Sequence, residues 1–121
     1  MRGPSSTSAG ATYLNRPARL EELRGAVQRA RERVPEIVRV RLFGSLVSGI
    51  PTPRSDADLL IEVSSSAHAR PRDRIPDMLT ALSPLPCPVD LFVLTSTEVE
   101  AARASDSPLL HEILSNGVDL A

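Results

Sequence analysis

Cysteine, aromatic residues and lysine are all scarce in this chain. Cys87 is the single cysteine, so no internal disulfide can form and a reducing compartment suits the protein. Its neighbours Pro86 and Pro88 read as a rigid lead into a strand, not as the surroundings of an activated thiol. Tyr13, Phe43 and Phe92 are the only aromatic residues. The core must therefore be aliphatic, and recognition of single-stranded nucleic acid by stacking is short of platforms. Lysine is absent, and all 14 basic residues are arginine, the better fork for phosphate oxygens. The net charge of −1 leaves no basic field to attract nucleic acid. No apolar run approaches the roughly 20 residues of a membrane helix. Gly3 to Ala11 is rich in Ser, Gly and Thr and holds no apolar segment of the signal-peptide kind. These absences point to a cytoplasmic protein with no membrane partner and no direct nucleic-acid binding.

What remains is enough for one domain. The chain has 121 residues, 41% hydrophobic and 24% charged, an ordinary globular balance. Residues 1–16 read as a disordered arm and residues 17–121 as the folded domain. Leu20, Leu23, Val27, Ala30 and Val34 follow helical spacing, which predicts a helix from Pro17 to Val34, stopped by Pro35. "EIVRVRLFG" predicts a first strand ending at Gly44, with Val38, Val40 and Leu42 on one face and Arg39, Arg41 and Phe43 on the other. Ser45 to Gly49 allows a helical turn, with Gly49 as its cap, and the prolines of 50–55 make a loop. "ADLLIEV" reads as a second strand covered on both faces. A helix over Asp73–Leu82 follows. "VDLFVL" is the third strand, and Thr95 or Ser96 then caps a helix with Glu98 in its first turn. Leu109–Leu114 is a short last helix, Asn116-Gly117 its stop, and 118–120 a short edge strand. The order predicts an α/β (α+β) fold, a small mixed sheet flanked by helices.

Two aspartates at the mouth of the second strand carry the chemistry. Asp56 and Asp58 are i and i+2, so on a strand they point to one side, about 7 Å apart. Two carboxylates so placed can converge on one divalent cation. Asp90, near the start of the third strand, joins them if that strand lies beside the second. Three acids around one or two Mg2+ ions make the arrangement that holds a nucleoside triphosphate for in-line transfer. Gly44 lets the backbone approach an anion closely. Ser45 adds a hydroxyl at a strand-to-helix turn, where free N–H groups favour negative charge. Ten residues separate Ser45 from Asp56, enough to close both halves around one cleft.

Gly44-Ser45, Gly49, Ser55-Asp56-Ala57-Asp58-Leu59 and Val89-Asp90-Leu91 together resemble the nucleotidyltransferase superfamily of the DNA polymerase β type. Over about residues 18 to 121, the small size resembles its minimal (MNT) members, antitoxins paired with a HEPN-domain toxin. The closing "LLHEILSNGVDLA" is similar to the way such domains finish. The resemblance implies that Gly44 and Ser45 bind the triphosphate, that Asp56 and Asp58 ligate metal, and that Asp90 ligates metal or accepts the proton of the attacking hydroxyl. It implies two Mg2+ ions, ATP as substrate and a hetero-oligomer with the partner. Leu46, Val47 and Ser48 stand where the family often carries basic residues. Arg54 is the nearest substitute for binding the nucleotide, with Arg39 or Arg41 on the first strand as others. Ala57 replaces a larger aliphatic residue.

Two classes of function follow. One is an enzyme that moves AMP from ATP onto a hydroxyl of a HEPN-type partner. Larger members carry a second domain for the acceptor, and so small a domain expects its acceptor from outside. The other is a binding module that neutralises its partner by occupying it, which the missing basic residues favour and the three carboxylates oppose. Transfer to an aminoglycoside-type small molecule is a third reading, disfavoured by the missing acceptor domain. His68 and His111 share no metal-ligand spacing and read as solvated or half-buried residues.

Overall fold

The computed structural model describes residues 16–43 and 57–121. The first helix, α1 (Arg16–Arg33), turns Leu23, Ala26, Val27 and Ala30 fully inward. This is the stripe its spacing predicts. It leads into β1 (Ile37–Phe43), which runs antiparallel to β2 (Ala57–Val63). A 3₁₀ turn (Pro71–Arg74) then precedes α2 (Ile75–Leu82). The predicted helix over 73–82 is divided there, and prolines open both pieces, where the missing N–H is tolerated. β3 (Val89–Thr95) pairs parallel to β2. Two helices follow, α3 (Ser96–Ala104) and α4 (Pro108–Asn116), and β4 (Val118–Asp119) returns antiparallel to β1.

The sheet is mixed, in the order β3-β2-β1-β4, and helices lie on both faces. Val40, Leu42, Leu59, Ile61, Val63, Leu91 and Val93 form one face and pack under α1 and α2. The opposite face carries a smaller apolar cluster, where Leu110 and Ile113 of α4 cover Phe43 and Leu60. Cover on both sides explains the near-continuous apolar run of β2. Val38 departs from the expected alternation. The β1–β2 register shifts between Ile37 and Arg39, and this bulge leaves Val38 45% exposed while Ile37 joins the core. Among the described residues, no helix is long and apolar enough to cross a membrane.

Arginines of α1 fasten the chain after α2. Arg29 donates to the carbonyls of Leu82 and Pro84, and Arg33 to those of Ala81 and Ser83. Arg19 donates to the Pro86 carbonyl, ahead of buried Cys87.

Candidate functional site

The β1–β2–β3 register lays out the sheet face under α3 and α4 as three short rows. Phe43, Asp58 and Asp90 form the first row, Arg41, Leu60 and Phe92 the second, and Arg39, Glu62 and Leu94 the third. Ala57, Leu59, Leu91 and Val93 are buried in the opposite core. Strand alternation therefore puts Asp58 and Asp90 together on this face. Parallel neighbours lie about 4.8 Å apart, so the two carboxylates stand side by side at the N-terminal ends of their strands. Asp58 is half-buried and Asp90 exposed. On the same face, Leu110 and Ile113 of α4 pack on Phe43 and Leu60, with Leu94 and Ala102 against that cluster.

The structure thus joins Asp58 to Asp90, as the sequence requires if β3 lies beside β2. Gly44, Ser45, Arg54 and Asp56 lie outside the described residues, as do the expected turn at 45–49 and the loop at 50–55. Gly44 follows Phe43 directly, and Phe43 is the register partner of Asp58. Asp56 precedes Ala57, the first residue of β2. Two oxygen-donor side chains held in register by backbone pairing suit a hard divalent cation. Asp56, two residues before Asp58, would complete the set.

Arg41 of β1 holds the end of α4. Arg41 donates Nε to the Ile113 carbonyl at 3.0 Å, Nη2 to the Gly117 carbonyl at 3.1 Å and Nη1 to Asp119 at 2.6 Å. It closes the C-terminus of α4, where unpaired carbonyls attract a cation. Arg39 lies in the third row beside Glu62, two rows from the aspartates.

At the C-terminal ends of β2 and β3 lies a different polar centre. Arg74 is charged yet only 5% exposed. Its Nε donates to the His68 carbonyl, its Nη1 to the Val93 carbonyl and Glu98, and its Nη2 to the Ala69 carbonyl and Glu98. Each N–H of the guanidinium has an acceptor. Glu98 also accepts from the Thr95 N–H at 2.8 Å, and Thr95 Oγ1 accepts from the Glu98 N–H, so the predicted cap is a full capping box. Arg74 holds the Glu98 carboxyl below its ordinary value, with the Thr95 N–H assisting and partial burial opposing. An open cleft of about 300 Å³ beside this centre is lined by Glu36, Ser65, Ser66, His68 and Asp77 among others, and by neither Asp58 nor Asp90. His68 and His111 are both exposed, each beside an aspartate, Asp77 and Asp106.

The sequence reading passed over Arg74 and Phe92, and placed Glu98 only in the first turn of its helix. Arg74 and Glu98 are 24 positions apart and carry no motif. Phe92 had a signal: it follows Asp90 by two on an alternating strand and so shares its face.

Comparison with known proteins adds two findings. A family model described as "Nucleotidyltransferase domain" matches residues 21–116. The fold is similar to the crystal structure of a Sulfolobus solfataricus protein described as a "putative nucleotidyltransferase". The TM-score is 0.61 at 19% identity, over 97% of this chain and 90% of that one. No curated protein sequence matches the chain.

Proposed function

The chain belongs to the nucleotidyltransferase domain family, and on that premise we propose that it moves AMP from ATP onto a hydroxyl of a HEPN-type partner protein, as an antitoxin. One observation carries the reading. Asp58 and Asp90 are register partners on adjacent strands and share one face of the sheet.

In the proposed reaction the acceptor oxygen attacks the α-phosphorus of ATP. A new P–O bond forms, the bond to the bridging oxygen of pyrophosphate breaks, and the hydroxyl proton passes to Asp90 or to water. The products are an AMP ester and pyrophosphate. Asp58 and Asp90, with Asp56, would hold Mg2+, which when bound neutralises phosphate charge. Gly44 and Ser45, leaving the end of β1, would hold the phosphates, with Arg54 as their cation. Asp58 and Asp90 sit on strands paired on both sides or packed beneath, so their spacing is fixed before substrate arrives.

A non-catalytic binding module is the second reading. It is favoured by Leu46, Val47 and Ser48, which stand where the family often carries basic residues. The two readings part in one experiment. The protein is mixed with MgATP and the product of the adjoining reading frame, and the partner's intact mass is measured. A partner heavier by whole AMP units, with no gain when Asp58→Asn/Asp90→Asn replaces the wild type, supports transfer. An unmodified partner in a stable complex supports the binding module.

A further inference from the structure

The C-terminal ends of β2 and β3 open onto the cleft of about 300 Å³. Asp58 lies near the start of β2 and Val63, which lines the cleft, at its end. That length of strand is about 17 Å, so the cleft and the aspartates occupy opposite ends of the sheet. Three pieces of chain meet around it. Val34 and Glu36 come from the turn between α1 and β1, residues 65–68 from the segment after β2, and Asp77 and Met78 from α2. Val63, Met78 and Val93 are buried, and with Val34 they give the cleft an apolar floor. Glu36, His68 and Asp77, all exposed, make its polar rim.

Hydrogen bonds to the backbone hold that rim in place. Arg74 donates Nε to the His68 carbonyl at 3.0 Å and Nη2 to the Ala69 carbonyl at 3.1 Å. The His68 N–H donates to Ser66 Oγ at 3.2 Å, and the Ser64 N–H to the Glu36 carbonyl at 2.8 Å. A cleft fixed in this way has little freedom left to lose when a ligand enters. Its volume is at the small end of the range for ligand pockets.

The charges around the cleft select the sign of that ligand. Arg74 borders it, but its N–H groups are taken by carbonyls and by Glu98, whose charge offsets its own. Asp77 sits in the first turn of α2 and already meets the positive end of that helix. Among the described residues, no hydrogen bond or ion pair engages the Glu36 carboxylate. Two negative charges on the rim therefore face at most one positive, on His68, whose Nε2 lies 3.4 Å from Asp77 Oδ2.

We infer that this cleft binds a small organic cation, with an apolar body seated on Val34, Val63, Met78 and Val93 and an ammonium or guanidinium group facing Glu36 and Asp77. Burial of the body supplies the attraction, and the carboxylates choose the charge. The site is separate from the paired aspartates and does not depend on the nucleotidyl-transfer reading.

The test is an amide NMR titration of the protein with benzylammonium, methylammonium, benzyl alcohol and benzoate. Benzylammonium carries both the apolar body and the charge. Methylammonium lacks the body, benzyl alcohol lacks the charge, and benzoate reverses it. The expected result is saturable benzylammonium binding that shifts the amides of residues 65–68 and Asp77. Methylammonium and benzyl alcohol should bind at least about threefold more weakly, and benzoate more weakly still. Glu36→Gln and Asp77→Asn should each weaken benzylammonium about two- to fivefold and leave benzyl alcohol unchanged. Glu100→Gln, which removes an exposed charge of α3 outside the cleft, should match the wild type. The ligand series on the wild type needs no variant, so it decides whether or not a variant folds. Benzoate binding as tight as that of benzylammonium overturns the inference. So does equal benzylammonium affinity in wild type, Glu36→Gln and Asp77→Asn. Benzylammonium that fails to saturate, or that shifts only amides away from the cleft, overturns it as well.

Discussion

At the scale of single residues, the sharpest contrast is between Arg74 and the aspartates. Arg74 has the burial of a core residue and acceptors for its whole guanidinium. It serves structure by tying the 68–69 backbone, the end of β3 and the start of α3 together. The Glu98 carboxyl sits below its ordinary 4.5 because of Arg74. The native state therefore binds fewer protons than the unfolded chain in that range, and stability rises with pH there. The contribution is complete above about pH 4.5 and is lost as pH falls through the lower native value. Glu98→Gln should destabilise by about 1–2 kcal/mol at pH 7, a figure reduced for the exposed part of Glu98. In urea titrations from pH 7 to pH 3, the gap between wild type and variant should narrow below pH 4.5. A gap that stays constant across that range would deny the ion pair its role. None of this was legible in the sequence, because a pair 24 residues apart announces itself only once β3 and the 3₁₀ turn are side by side. The Asp58–Asp90 pair was legible, since strand alternation and one assumed adjacency fix it.

At the scale of elements, the end of α4 shows how a correct sequence signal can have a different cause. Asn116-Gly117 predicts a helix stop, and the helix does stop there. Gly117, however, has φ −77° and ψ 165°, extended backbone open to any residue. What demands glycine is space. A Cβ there would meet the Ile113 carbonyl and lie 2.9 Å from Arg41 Nε. Gly117→Ala should therefore push Arg41 off the helix end and destabilise by about 1–3 kcal/mol, seen as a lower melting temperature and faster amide exchange in α4. Unchanged exchange in α4 would contradict the account. The helices and strands themselves were legible from periodicity, with α1, β2, β3 and the Thr95 cap close to their expected places. The bulge at Val38 was not, because "IVRVRLF" alternates without a glycine or other mark of an extra residue. Nor was the role of Arg41. From the sequence it faced either solvent or phosphate, and the partner that decides, the α4 terminus, lies 72 residues away.

At the scale of the whole molecule, the sheet order determines what the two aspartates can do. Parallel pairing of β3 with β2 places Asp90 beside Asp58, and antiparallel β1 brings Phe43, the residue before Gly44, to the same end. The aliphatic composition is equally a whole-molecule property. With three aromatic residues in the chain, the faces of the sheet are packed mainly by Leu, Val, Ile and Ala, with Phe43 the buried ring under α4. Fold class was legible because apolar strands alternate with amphipathic helices. The acceptor was not, since it belongs to another molecule.

The most direct test of the central claim, that Asp58 and Asp90 form the metal-nucleotide end of a nucleotidyl-transfer site, is a calorimetric titration of ATP into the protein with and without Mg2+. The same titration is run on Asp58→Asn and Asp90→Asn. The account predicts binding by the wild type that requires Mg2+, and at least a tenfold loss, about 1.4 kcal/mol, in each folded variant. ATP binding that is indifferent to Mg2+, or that survives unchanged in both variants, would contradict it.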